Sequence, residues 1–349
     1  MREFRDRDYL RTPEGFIFCV LGSVHPDDRV ISYLKYIPDP SGRWGTEGKR
    51  MRRILPNYTM RDLMGTFKFL RENHPEYLFY SPVMGIEMSA VPTSRIQMHY
   101  RPEEKLLRLA RAERLDELQR KTVELAHLIS DISRVPIEFF GVTGSILIDI
   151  HREFSDIDLV VYGRRNSISV REALKQAYES SDLPIRRFNR KESHEWCLSK
   201  AEMYPLTYRE AAEILRRRWN RGVYKGTLFS IHPVRLEDEV NERYGDRIFK
   251  PKGLIKIEAT VSDDSEAEFL PSTYRVEDVK VIDGPKIKDI LEVTTYEGLY
   301  SGLAEKGERI LAYGKLEEVH DLRREEQYHR VLIGSREAEG RDYIKPLMG

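Results

Sequence analysis

The alternation of apolar and polar positions changes character along the chain and separates three segments. Up to residue 100, short apolar runs between turns predict strands over 15–21 and 30–37. A helical pattern follows over 59–72, and Thr59 stands where its N-cap is expected. This mixture predicts an N-terminal α+β module over 1–100.

A second pattern occupies the middle of the chain. Residues 102–133 carry apolar side chains at helical spacing and predict one helix or a helix pair. Beyond it, apolar runs predict strands over 136–142, 156–162 and 227–234, with helices over 145–150, 167–178 and 207–219. Thr207 and Glu210 have the spacing of a capping box at the start of the last helix. We therefore expect a domain over 101–249, built on a small mixed sheet.

The last hundred residues show short strand-like runs alternating with turns that contain Gly, Asp and Pro. The runs lie at 254–261, 274–282, 289–294, 309–319 and 328–333. Five strands at this spacing predict a small closed β-barrel of the OB type over 250–349. The predicted fold class is thus α+β and multi-domain, with a central mixed sheet between an N-terminal α+β module and an OB-like barrel.

Composition narrows the function classes. The chain has 349 residues, enough for two or three domains. Its 58 basic and 58 acidic side chains cancel, so net charge does not favour a dedicated nucleic-acid binder. Two cysteines far apart in sequence give no disulfide framework, and the charged start is unlike a secretory signal. The longest apolar run, Phe16 to Gly22, is too short for a membrane span. These features predict a cytoplasmic protein without a membrane partner.

The most specific chemistry lies in one turn and one strand of the middle segment. Gly144 and Ser145 follow a predicted strand, and Asp156 and Asp158 occur ten residues further on. Residues two apart in a strand point to the same face, so the two carboxylates are expected side by side. Paired carboxylates suit Mg²⁺ or Mn²⁺, and a Gly-Ser turn that opens a helix favours a phosphate. The pattern predicts a metal and triphosphate site.

This arrangement resembles the signature of the DNA polymerase β-like nucleotidyltransferase superfamily, over roughly residues 135–235. The whole chain also resembles an archaeal family described only as predicted nucleotidyltransferases, with no known substrate. The resemblance implies transfer of a nucleoside monophosphate from an NTP to an acceptor. It implies that Asp156 and Asp158 bind Mg²⁺, and that Gly144 and Ser145 hold the triphosphate.

The chain departs from that signature at the third carboxylate. The superfamily normally carries one on the next strand of the sheet, but residues 228–235 contain no Asp or Glu. Three explanations stay open at this stage. His232 serves as ligand or base; a carboxylate from elsewhere, such as Glu153, Glu237 or Glu258, completes the site; or the protein binds NTP but transfers slowly or not at all.

Two clusters of basic and aromatic residues flank the predicted sheet, over 186–191 and 216–225. Arg and Lys with interleaved aromatic residues suit phosphates and stacked bases. Arg217, Arg221 and Lys225 are the candidates for contact with the triphosphate or with RNA. Cations at a helix end also stabilise the helix dipole, which is the structural alternative for this cluster.

The leading hypothesis is therefore a Mg²⁺-dependent nucleotidyltransferase that uses an NTP and a large acceptor, most simply RNA such as tRNA. A protein or small-molecule acceptor is a second option. The alternative is a weakly active or inactive nucleotidyltransferase-fold protein that binds nucleic acid or serves as a regulatory module. The sequence leaves the oligomeric state open.

Overall fold

The computed structural model describes residues 2–180 and 182–347, which form an α+β structure with three β-sheets. The first sheet and its helix use the N-terminal hundred residues. Their bounds are β1 Tyr9–Arg11, β2 Ile17–Val20, β3 Arg29–Pro38, β4 Met51–Arg53, α1 Met60–Asn73, β5 Leu78–Ser81, β6 Ile86–Pro92 and β7 Met98–Tyr100.

The first sheet has the strand order β5-β6-β3-β2-β1-β7, with β4 paired to the end of β3, and all of its pairings are antiparallel. The long strand β3 is buried over almost all of its length. Helix α1 begins as predicted, because the Thr59 side chain accepts a hydrogen bond from the Asp62 N–H. Phe67 and Leu70 of α1 are buried, and Leu70 packs in an apolar cluster with residues of the sheet.

The middle segment forms a smaller mixed sheet covered by helices. Its elements are α2 Pro102–Ala110, α3 Glu117–Ser133, β8 Phe140–Val142, α4 Gly144–Leu147, β9 Ile157–Tyr162, α5 Arg164–Ala177, β10 Ile185–Arg186, α6 Arg190–Met203, α7 Tyr208–Arg217, β11 Arg221–Tyr224 and β12 Thr227–Val234. The strand order is β10-β11-β12-β9-β8, and β9 and β12 are the parallel pair. The long helical pattern is therefore a helix pair, and the predicted capping box of Thr207 and Glu210 is present at α7.

Strand β9 lies between β12 and β8 in this sheet and fixes the position of the acidic pair. Its apolar side chains are buried on both faces: Ile157, Leu159 and Val161 pack in the main core, and Val160 lies in a smaller cluster. Burial of one such side chain contributes roughly 1.5–3 kcal/mol, so a register shift of β9 is strongly disfavoured. Asp158 is the only polar residue inside the strand.

The C-terminal residues form a sheet whose pairings close into a ring. Its strands are β13 Arg247–Glu266, β14 Ser272–Asp283, β15 Ile290–Thr295, β16 Arg309–Asp321, β17 Glu326–Ile333 and β18 Tyr343–Pro346. The order β13-β14-β15-β17-β16 returns to β13, because β16 also pairs with β13. Only β15 and β17 are parallel. Ile257, Ala259 and Val261 alternate along β13 and are buried in the core that the ring encloses.

The three sheets are joined by contacts at several places. The Thr143 hydroxyl donates to the Arg7 carbonyl oxygen at 2.9 Å, which ties the middle sheet to the N-terminal one. Arg217 on α7 binds Glu308 next to β16 at 2.7 Å. Leu147 from α4 packs in an apolar cluster with Tyr36 of β3.

No helix in the described residues is long and apolar enough to cross a membrane.

Candidate active site

The two predicted carboxylates lie at the start of β9. Asp156 immediately precedes the strand and is exposed, whereas Asp158 is partly buried within it. The negative charge of Asp158 raises the pKa of Asp156 to about 6. Two carboxylates that repel each other in this way form a site that a divalent cation would stabilise.

The Gly-Ser turn packs directly against this pair. Gly144 has φ +70°, and a Cβ atom there would lie 2.4 Å from Asp158 Oδ2, a distance that real Cβ atoms do not adopt. The backbone N–H of Thr143 also donates to the Asp158 carbonyl oxygen at 2.9 Å. Glycine is therefore required for two independent reasons, its backbone conformation and the closeness of the carboxylate. Ser145 follows in the first turn of α4 and is buried.

Strand β12 places a serine, not a carboxylate, beside Asp158. Ser230 is the register partner of Asp158, and its hydroxyl donates to Asp158 Oδ1 at 2.5 Å. His232 lies two residues further along β12, with Nε2 3.0 Å from Ser230 Oγ and 3.6 Å from Asp158 Oδ1. Because the serine proton is given to Asp158, the serine oxygen accepts the Nε2–H proton of His232.

This arrangement defines what His232 does in the resting site. Burial lowers the pKa of His232 to about 4, so its ring is neutral at neutral pH. Burial disfavours ionisation of Asp158, but His232, Lys35 and Ser230 together hold its pKa below the usual range. With His232 neutral, the Ser230 hydrogen bond and the Lys35 charge keep Asp158 ionised. His232 thus orients Ser230, and through it Asp158.

The other carboxylates considered for the third position have different partners. Glu237 forms an ion pair with Arg5, and Glu258 binds Arg309 at 2.8 Å. Glu153 is exposed, in the loop before β9. In the described parts of the chain, one group of three metal-ligating side chains has ligand atoms within 4.8 Å of one another, and it lies elsewhere, at Glu14, His74 and Glu76.

That group lies in the N-terminal module and already has a cationic partner. Arg95 forms ion pairs with Glu14 and with Glu76, the latter at 3.4 Å. The Tyr77 hydroxyl also donates to Glu14 Oε2 at 2.6 Å. The guanidinium and hydroxyl satisfy these carboxylates without a metal ion.

A buried lysine from the N-terminal sheet faces the acidic pair, although it is not among the residues predicted from the sequence. Lys35 lies on β3, and its charge lowers the pKa values of both Asp156 and Asp158. Its Nζ lies 2.5 Å from the Tyr9 hydroxyl and 5.5 Å from the ring centre of Tyr58. The signal was present in the sequence, because a lysine within an apolar strand is rarely buried without a partner.

A group of three cations lies on the other side of the site. Arg221 on β11 pairs in register with Ser230, and its charge favours ionisation of Asp156. Burial and the charges of Arg221 and Arg218 lower the pKa of Lys200 to about 8. Burial and Arg221 also lower the pKa of Arg218 to about 10. Mutual repulsion of this kind is what a bound polyanion would relieve.

Of the three basic residues predicted from the sequence, only Arg221 is in this group. Arg217 binds Glu213 and Glu308, both at 2.7 Å, and so joins α7 to the ring. Lys225 binds Glu124 on α3 at 2.8 Å. Among the ion pairs of the described residues, none includes Arg221. Arg217 and Lys225 therefore serve as partners in ion pairs that join elements of the fold. Arg221 has a charge that is available to attract a polyanion.

An aromatic surface borders the acidic pair. Phe154, two residues before Asp156, is 56 % exposed. Its ring packs edge-on against Trp44 at 5.9 Å, and the Arg43 guanidinium lies 5.3 Å from its centre. Arg152 donates to the carbonyl oxygen of Gly45 and holds this loop in place.

Comparison with known proteins gives one long match. The chain is 34 % identical over 345 residues to the uncharacterized protein MJ1086 of Methanocaldococcus jannaschii, and the match covers 98 % of each chain. No family model matches, and no solved structure matches. The match spans all three sheets, so this relative is similar to the whole chain and not to one module alone.

Proposed function

We propose that this chain, which belongs to the same family as the uncharacterized protein MJ1086, is a Mg²⁺-dependent nucleotidyltransferase. It would move a nucleoside monophosphate from an NTP to an acceptor, and the proposal rests on the geometry of its site. The observation that carries this proposal is the contact of Gly144 with Asp158 in a turn that leads into a paired-carboxylate strand. The order of the strands around β9 supports the same fold.

The residues suit a divalent cation by their charge. Asp156 and Asp158 would hold Mg²⁺ or Mn²⁺, which would supply charge neutralisation for the pyrophosphate leaving group. Gly144 and Ser145 would support the triphosphate through backbone N–H groups. Arg221 and its neighbour Lys200 would bind the phosphates, since positioning and electrostatics dominate this type of transfer.

Ser230 and His232 take the place of the third carboxylate in this proposal, as positioning residues. Ser230 holds one oxygen of Asp158, which leaves Oδ2 towards the Gly144 turn. A specific observation also favours the second candidate, a weakly active or inactive nucleotidyltransferase-fold protein. That observation is the absence of an acidic side chain from β12.

RNA is the acceptor that we propose. Its support is the surface of Trp44 and Phe154 beside Asp156, where bases could stack, with Arg43 against it. Lys49 and Arg50 are exposed in the same loop. The closed five-stranded ring, interpreted as an OB-like barrel, is a second support, because OB folds often bind oligonucleotides.

We place the reaction in the cytoplasm, since both cysteines are free buried thiols.

The test uses purified protein, Mg²⁺, each α-labelled NTP in turn, and total RNA from a matching organism. We expect label in one RNA class with the wild type and none with Asp156→Asn or Asp158→Asn. Asp283→Asn, which changes an exposed carboxylate on β14, serves as the matched control and should transfer normally. Transfer by the Asp158→Asn variant would overturn the proposed site. Mg²⁺-dependent NTP binding without transfer would favour the second candidate.

A further inference from the structure

A second cavity, apart from the carboxylate pair, lies where the N-terminal module meets the C-terminal ring. It has a volume of about 540 Å³ and is bounded on one side by α1, β3 and the β5–β6 hairpin, and on the other by β16, β17 and the segments that follow β15 and β17. Small-molecule sites typically measure 300–1,000 Å³. The cavity is therefore large enough for a ligand of ordinary metabolite size.

Four methionines contribute to the apolar wall. Met60 and Met64 come from α1, and Met84 and Met88 come from the hairpin. All four are partly buried, so part of each side chain remains available for contact. Unbranched methionine side chains adapt to ligands of different shape, and their sulfur atoms pack well against rings. Phe67 adds an aromatic face to the same wall.

The charged residues of the opposite wall already have partners. Lys315 Nζ lies 3.2 Å from Glu317, and Arg330 Nε lies 2.8 Å from the same carboxylate. Lys315 also binds Glu337 at 3.0 Å. This wall therefore presents neutralised ion pairs and holds no free charge that would require an ionic ligand.

One buried acid completes the lining. Glu297 is only 8 % exposed. Burial, reinforced by the negative charge of Asp342, raises the pKa of Glu297 to about 8. At neutral pH its carboxyl group is therefore protonated and can donate a hydrogen bond.

We propose that this cavity binds a small, uncharged molecule with a mainly apolar body and one oxygen or nitrogen atom that accepts a hydrogen bond from Glu297. The apolar body would lie against the four methionines and Phe67. The site is independent of the proposed nucleotidyl transfer, although the two adjoin. Tyr58 lines the cavity, and its ring also faces Lys35 and Arg53 at 5.5 and 5.0 Å.

The test is a fluorescence titration of the full-length protein with the neutral apolar dye 6-propionyl-2-dimethylaminonaphthalene, whose ketone oxygen can accept a hydrogen bond. We expect saturable binding to one site. Met64→Trp and Met88→Trp, which fill the cavity from two different elements, should each weaken binding at least tenfold. Met98→Trp is the matched control, because Met98 is 48 % exposed on β7 and lies outside the cavity. Circular dichroism identifies any variant that fails to fold. If one of the two filling variants fails to fold, the other one tests the proposal.

Two outcomes would overturn the proposal: absence of saturable binding in the wild type, or equal affinity in a folded filling variant and in Met98→Trp. The titration contains neither NTP nor Mg²⁺. Dye binding by Asp158→Asn should equal that of the wild type, so a failure of the nucleotidyl-transfer proposal would leave this result unaffected.

Discussion

Gly144 is the residue whose replacement tests the site most directly. Alanine at this position would adopt a left-handed backbone, at a cost of about 1–2 kcal/mol, and its Cβ would overlap Asp158 Oδ2. We expect Gly144→Ala to abolish NTP turnover. Gly226→Ala is the matched control, because Gly226 has φ +79° but nothing within 4 Å of a Cβ atom. Gly226→Ala should lose a similar amount of the free energy of unfolding through its left-handed backbone, but its NTP turnover should equal that of the wild type. Equal turnover in the two variants, at matched folded fractions, would contradict the proposed role of the turn.

Arg221 and Arg217 allow electrostatic binding to be separated from structural pairing. Arg221→Gln should raise the Kd for NTP about tenfold or more with little change in Tm, because the side chain has no ion pair to lose. Arg217→Gln should leave NTP affinity unchanged. It should lower the free energy of unfolding by about 1 kcal/mol, because its partly buried pairs with Glu213 and Glu308 are removed. Calorimetric titration and thermal melts would distinguish the two; the reverse pattern would refute this assignment.

The sequence could predict the parts of the site that are close together along the chain. The turn and the two aspartates are separated by ten residues and follow strand periodicity, and both are where the pattern placed them. Lys35 stands out in the sequence only as a lysine within an apolar strand, and its position beside the carboxylates depends on the packing of distant segments. Arg217 and Lys225 are predicted from the sequence to contact the triphosphate or RNA; the structure places them in ion pairs with Glu308 and Glu124, about one hundred residues away, and no local pattern specifies those pairs.

At the scale of elements, predictions succeeded where local chemistry decides the structure. The cap at Thr59 and the capping box at Thr207 depend on three or four consecutive residues, and both are present. Helix α6 was missed because its sequence has no continuous apolar stripe, and only Cys197 is buried in it. Strand β11 was missed because its four residues lie within the basic cluster at 216–225.

Strand β3 carries Lys35 from the N-terminal sheet to the site, so a change in this element should affect a site on another sheet. We expect Lys35→Met to reduce NTP affinity or turnover by an order of magnitude. Its free energy of unfolding should fall by about 1–3 kcal/mol, because the buried Tyr9 hydroxyl loses its hydrogen-bond partner and Asp158 loses a nearby positive charge. Denaturant unfolding and initial-rate measurements would check this. A large loss of stability with normal turnover would show that Lys35 is structural only.

At the scale of the whole molecule, the α+β class was predictable, because the strand and helix periods are distinct along most of the chain. The closure of the C-terminal sheet depends on the pairing of β13 with β16, whose paired residues are about fifty to seventy-five positions apart, and no local pattern specifies this pairing. The same is true of the junction between modules, where Tyr204 of the middle segment donates to the Tyr58 carbonyl oxygen at 3.3 Å. The cavity beside Tyr58 arises from the docking of the N-terminal module on the C-terminal ring, and sequence patterns give no sign of it.

Glu297 makes the stability of the whole molecule depend on pH. Its pKa in the folded protein is about 8, against 4.5 for the free side chain, so the folded state binds the proton more tightly. The protonated form is stabilised relative to the unfolded chain, and stability is therefore lost as the pH rises from about 4.5 towards 8. Asp342, whose pKa is also raised by burial, adds to the same trend. Tyr204 and Tyr300, which lie near Glu297, are neutral throughout this range.

Glu297→Gln removes this titration while keeping an oxygen that can accept the Met60 backbone N–H. We expect the variant and the wild type to unfold with similar free energies at pH 4.5. At pH 8.5 the variant should be more stable by a few kcal/mol, because the wild type must then either retain a proton or bury a charge beside Asp342. Urea unfolding at a series of pH values measures the difference directly. A difference that stays constant with pH would mean that Glu297 ionises normally in the folded protein, and that the cavity wall carries a negative charge.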